Sequence, residues 1–299
     1  MSTRDVSAQG DWKASNPSKA KLRFVQYSSW TVLWIFLIAA AVVTLFPVVV
    51  AILGSFKTNM EVTVGATLFP KQWLFSNYAE AWKKANFALF TWNSLFISAA
   101  TTIGTLLVTT MAAYAVDRGN FPGKKAYVAL QASTMFISIG AVVLRPQFDL
   151  MVALNLNQSL WGVILILISA HATAFFMLIG FFKGIPKDLD EAAYIDGCNY
   201  YTVYWRIVLP LLKPAIGVTA LFTFRNAWNE YILPFVFTMS NPKLQPLTVG
   251  LTNLKYGVGA AAELQLMLAG ACISIVPMLI VYMFANKSFM QVTAGSLKG

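Results

Sequence analysis

The 299-residue chain carries 22 Lys and Arg against 12 Asp and Glu, a net charge of +10. Yet only 11% of its residues are charged, 58% are hydrophobic and its mean hydropathy is +0.63. A soluble domain has about 25% charged residues, so this balance argues against a water-soluble globular fold, and equally against disorder, which needs few apolar residues, and against a nucleic-acid binder, which needs a wet basic face. An integral membrane protein with basic flanks remains. Cys198 and Cys272 lie far apart and build no disulfide framework.

A bilayer core of about 30 Å takes roughly 20 apolar residues of helix. Residues 1–29 are mostly polar and read as a cytoplasmic tail. The apolar run after them is longer than the core of a cleavable signal peptide, about 7–15 residues. Six spans are predicted in one membrane domain, residues 30–287. They run from Trp30 to Leu53, Asn93 to Val116, Ala126 to Leu144, Leu160 to Phe182, Ala215 to Thr238 and Leu266 to Ala285. The third is diluted by Gln131, Ser133, Thr134 and Ser138, which leaves a re-entrant segment as the alternative there. Residues 288–299 form a second tail. An even number of spans puts both termini on one side. With the termini inside, the inner segments hold 14 basic residues against 7 in the outer ones, the bias expected of cytoplasmic segments.

The inner loop between the fourth and fifth spans, residues 183–214, is the most informative stretch. Asp188 followed by Glu191 has the spacing of a capping box, and acidic residues suit the positive end of a helix dipole. That helix is predicted to reach Asp196 and stop at Gly197, a residue that accepts a left-handed cap. Asn199 then starts a second helix, Tyr200 to Leu209, which Pro210 ends. A plain surface connector would be polar throughout. Here Leu189, Ala192, Ala193, Tyr194 and Ile195 place apolar or small side chains on a helix that no membrane covers, which favours a docking element. Asp188, Asp190, Glu191 and Asp196 form a local acidic patch there, against the basic trend of the chain.

The pattern Glu191-Ala192-Ala193, Asp196-Gly197, Ile207, Leu209-Pro210 and Pro214 resembles the EAA loop of binding-protein-dependent ABC importer permeases. Phe181 to Pro186 and Phe121-Pro122-Gly123-Lys124 resemble segments of the same family. The end, Thr293 to Gly299, and Trp228-Asn229-Glu230-Tyr231 are similar to its carbohydrate branch, in particular to maltose-type G-subunit permeases. The likeness covers residues 30 to 299. It implies an all-α, six-helix, type I importer permease fold in a bacterial or archaeal plasma membrane. The implied partners are a homologous second permease, two cytoplasmic ABC ATPase subunits and an external sugar-binding protein. ATP and magnesium would sit in the ATPase subunits, with no cofactor or metal in this chain and no enzymatic activity of its own. Glu191, Ala192, Ala193, Asp196, Gly197, Leu209 and Pro210 would form the ATPase-coupling element.

Polar groups inside spans are costly and default to functional hypotheses. On a continuous fifth helix, Asn226, Asn229 and Glu230 would share one face, with Arg225 beside it and within reach of Asn229. These four are candidates for the translocation path, or for a satisfied network between helices. His171, the only histidine, reads as a hydrogen-bonded packing residue. An ion-gradient-driven carrier using Glu230, His171 and Arg225 as a relay is the alternative, and it leaves the docking loop unexplained. A membrane scaffold or sensor would use that loop but ignore the polar fifth span. The chain has no Walker phosphate loop.

Overall fold

The computed structural model describes residues 19–65, 67–136, 140–256 and 262–296, which contain helices and no strand. The chain divides into two units, Met1–Ala51 and Ile52–Gly299.

In the first unit the described residues are helical. They belong to α1, which spans Lys19–Gly54. From Trp30 to Val50 every side chain is exposed. A helix that is apolar all round and covered by no protein suits lipid.

The second unit opens with two short helices, α2 (Asn59–Thr63) and α3 (Ser76–Lys84). Thr58 and Glu61 cap α2 reciprocally. Backbone N–H donors of Thr58 and Lys71 hold the Glu61 carboxyl below its usual range. The centre of the unit is α4 (Phe87–Arg118), which packs against α7 (Leu160–Ser169), α8 (Ala172–Phe182) and α11 (Lys213–Asn229). The last helix, α14 (Leu264–Ser296), packs on α11, α3 and α13 (Leu247–Tyr256). One buried cluster gathers Tyr114, Phe175, Phe182, Val203 and Val208 around the inner loop. A second gathers Phe87, Phe90, Trp228 and Leu247, and a third Ile97, Ile164, Leu233 and Phe237.

Trp30–Gly54, Phe87–Arg118 and Leu264–Ala285 are long and apolar enough to cross a bilayer unbroken, matching the first, second and sixth predicted spans. The other three differ from the prediction. The first part of the third lies in α5 (Lys124–Phe136), which at 1.5 Å per residue is about 20 Å long. Residues 137–139 of that predicted span lie outside the described ones; a 3-10 turn, Gly140–Val143, and α6, Leu144–Ala153, follow.

The fourth span is the pair α7 and α8, bent by 47°. The fifth is α11, a break at Glu230–Tyr231, and α12 (Ile232–Thr238). Pro234 explains that break. Proline has no N–H to give the carbonyl four residues earlier, and its ring clashes with it. The carbonyl in question is that of Glu230, which instead accepts a 2.8 Å bond from the Thr248 hydroxyl.

Candidate functional site: an inner docking helix and a threonine-lined cavity

The inner loop folds as two helices, as its capping residues and Gly197 require. The first, α9, is Asp188–Ile195. Gly197 follows it at φ +82°, the left-handed region that only glycine enters without strain. The capping box is not formed. The N-cap is Lys187, and Asp188 is the first helical residue. This register places Asp190 inward, where its carboxylate lies 2.6 Å from Arg118 Nε; both side chains are 6% exposed. The acidic patch therefore loses Asp190 and keeps Asp188, Glu191 and Asp196, all exposed.

Ala193 is also buried, against the base of the loop. Leu189, Glu191, Ala192, Tyr194 and Ile195 face outward, Ile195 at 87% exposure. Of the predicted coupling residues, Glu191, Ala192, Asp196 and Gly197 thus lie on the exposed side of α9, and Ala193 anchors it.

The second helix, α10 (Tyr200–Leu211), begins where Asn199 Oδ1 accepts from the Thr202 backbone N–H at 2.8 Å. Pro210 does not end it. The preceding turns, Val203–Val208, widen to π-helix, which gives the proline ring room next to the carbonyl it would otherwise strike. The helix ends one residue further on, and the chain bends by 76° into α11.

A cavity of about 240 Å³ lies within the second unit. Its polar lining is Thr101 and Thr105 from α4, Thr173 from α8, Thr219, Thr223 and Asn226 from α11, with His171 and Glu230 at the two helix breaks. On the same helix the Thr102 hydroxyl donates to Ser98 O and that of Thr109 to Thr105 O, each at 2.6 Å, whereas those of Thr91 and Ser98 have no partner among the described residues. The Thr101 and Thr105 hydroxyls are buried and have no hydrogen-bond partner among the described residues. Such buried, unpaired hydroxyls are costly. The lining is neutral apart from one carboxylate and one imidazole, and it is rich in hydroxyls and an amide. It can exchange hydrogen bonds with an uncharged, hydroxyl-bearing solute.

The predicted one-face set of the fifth span is divided by this geometry. Asn226 and Glu230 line the cavity. Asn229 and Arg225 are exposed and lie outside its lining; Asn229 Nδ2 donates to the Arg225 carbonyl at 3.0 Å. Glu230 is not helical at all, with ψ 132°. His171 sits between α7 and α8 rather than inside a helix. Its Nδ1 is 3.0 Å from Ile168 O, and its Nε2 is 3.3 Å from Gln131 Nε2, as expected of a hydrogen-bonded packing residue.

The sequence reading missed Thr101 and Thr105, although their four-residue spacing in an apolar span was a usable signal. It also treated Arg118 only as an orientation charge. No group of three or more metal-binding side chains occurs among the described residues.

A helical chain with long apolar helices, an exposed short helix and a partly open cavity with polar groups in its lining suits a membrane transport subunit. Residues 20–288 match the family described as binding-protein-dependent transport system inner membrane component, and the chain belongs to that family. It is 33% identical over 258 residues to the sulfoquinovosyl glycerol transport system permease protein SmoH of Agrobacterium fabrum, covering 85% of this chain and 89% of that one. It is 32% identical over 265 residues to the arabinooligosaccharides transport system permease protein AraQ of Halalkalibacterium halodurans, covering 87% and 93%.

Among solved structures it resembles a chain of a bacterial ABC transporter involved in the import of the acidic polysaccharide alginate. The TM-score is 0.74 at 24% identity, over 91% of this chain and 98% of that one. That likeness gives the fold, a type I ABC importer permease. Membership makes the chain a membrane-embedded transport subunit rather than an enzyme, and sets aside the ion-gradient carrier.

Proposed function

We propose that the chain is one of two homologous permeases forming the path of an ATP-driven carbohydrate importer. An external binding protein delivers the sugar. Two cytoplasmic ATPase subunits hold ATP and magnesium and receive α9 in a surface cleft, and both termini lie in the cytoplasm. The observation that carries this reading is α9. Its outer face is apolar and small-residued around the Glu191 carboxylate, with Asp188 and Asp196 exposed at its two ends, while its inner face is fixed by Ala193 and Asp190. A short helix held this firmly can pass on a push; a floppy loop cannot. The substrate class rests on relatives named for arabinooligosaccharide and sulfoquinovosyl glycerol transport, and on the hydroxyl and amide groups of the cavity lining, where Glu230 is the one carboxylate.

The test is the complex assembled in nanodiscs. ATP hydrolysis is expected to rise only when binding protein and one sugar are both present. Hydrolysis and its stimulation unchanged after this subunit is omitted would refute the reading.

A further inference from the structure

We infer that α4 carries the motor's movement from the inner loop to the cavity, and that the Arg118–Asp190 pair is the joint between them. The inference rests on the reading of α9 as the ATPase-docking helix. Arg118 is the last residue of α4. Its Nε stands 2.6 Å from Asp190 Oδ2, and its Nη2 donates to the Ile185 carbonyl at 3.0 Å. One guanidinium therefore holds both the chain entering α9 and the first turn of α9.

One turn back, the buried Tyr114 ring lies 4.8 Å from that of Tyr200 and 5.1 Å from that of Tyr204. A further turn back, the Thr110 and Tyr204 hydroxyls are 2.8 Å apart. Positions 110, 114 and 118 share one face of a helix. Along three turns, that face of α4 grips both helices of the inner loop.

The same helix supplies Thr101 and Thr105 to the cavity. From Thr105 to Arg118 it runs without a break, a rod of about 20 Å. Of the helices joined to the loop by the chain itself, α8 runs unbroken from Phe182 to Thr173 at the cavity, about 14 Å, and α10 is bent from α11 by 76°. The longer rod is α4, and it meets the loop only through side chains. Arg118 and Asp190 are positioning residues: they meet no solute, and they act through α4.

A pair that serves folding alone is separable from a joint. Removing one partner strands a buried charge, whereas replacing Arg118 together with both carboxylates it holds, Asp190 and Asp117, by uncharged side chains of similar size restores the fold. The experiment places Cys at Thr105 in a Cys198→Ser/Cys272→Ser background. The whole complex, copurified through this chain, is reconstituted in nanodiscs. Labelling by fluorescein maleimide is timed with and without ATP and vanadate.

In the parent the nucleotide is expected to change the labelling rate by about tenfold, within the range that interior coupling contacts command. Arg118→Met/Asp190→Leu/Asp117→Asn is expected to assemble with its ATPase and hydrolyse ATP, but to lose that response. Arg118→Lys keeps the charge but not the fork that serves Asp117, Asp190 and the Ile185 carbonyl, so it is expected to lose most of the response even if the triple variant does not assemble. A full response in either variant overturns the joint. Failure of the parent to copurify with any ATPase strikes instead at the docking reading of α9, and the inference falls with it.

Discussion

Asp190 and Glu191 are adjacent carboxylates with opposite surroundings. The helix turns by about 100° between neighbours, which sends Asp190 to Arg118 and Glu191 to the outside. Only Glu191 is available to a partner, and a cleft that receives it must offer a cation or a donor. Loss of the carboxylate removes one contact, while a positive charge there meets like charge in addition, a juxtaposition that costs more than the missing pair. Glu191→Arg is therefore expected to lower ATP-driven uptake about tenfold more than Glu191→Ala, a difference of ~1.4 kcal/mol. The measurement is uptake at matched expression. Equal uptake by Glu191→Arg and the unmodified chain would remove Glu191 from the ATPase contact.

Each end of an inner-loop helix is set by chemistry of a different range, and the sequence is legible only where that range is short. Gly197 and Asn199 act on their own backbone, so the end of α9 and the start of α10 could be read directly. The start of α9 could not. The spacing of Asp188 and Glu191 favours a capping box, but the register that forms is the one that brings Asp190 to Arg118, on a distant helix. Pro210 misled for a related reason: a proline ends a regular α-helix, and the π-helical turn before it is not regular. Gly197 offers a clean measurement at this scale. A Cβ added there would meet nothing within 4 Å, so any cost is conformational and comes from φ +82°. Gly197→Ala is expected to destabilise the inner loop by about 1 kcal/mol, read as a lower unfolding temperature of the purified chain. Gly197→Asn should lose less, because Asn tolerates this region better. Equal stability of all three would show that the turn does not need a left-handed residue.

The whole molecule divides its spans into unbroken rods and broken pairs, and composition reveals only the rods. Trp30–Gly54, Phe87–Arg118 and Leu264–Ala285 are visible as apolar runs. The broken spans are apolar too, so hydropathy joins what Pro234 and the turn at His171 separate. At the site the one-face reading of Asn226, Asn229 and Glu230 is divided before the break: Asn226 and Asn229 belong to the same helix, yet Asn226 and Glu230 line the cavity and Asn229 does not. The two asparagines now make opposite forecasts. Asn226 faces the cavity with an amide that can both donate and accept, and its loss deprives a passing hydroxyl of a partner. Asn229 spends its amide on the Arg225 carbonyl of its own helix. Asn226→Leu should lower uptake about tenfold, the net worth of one good hydrogen bond at ~1.4 kcal/mol. Asn229→Leu should leave uptake within about a factor of two, since an exposed side chain bonded to its own backbone contributes little. Both are measured as initial uptake rates with the assembled importer, at equal membrane abundance. The reverse order would mean that solute follows the outer face of α11, and that the threonine-lined cavity is not on its route.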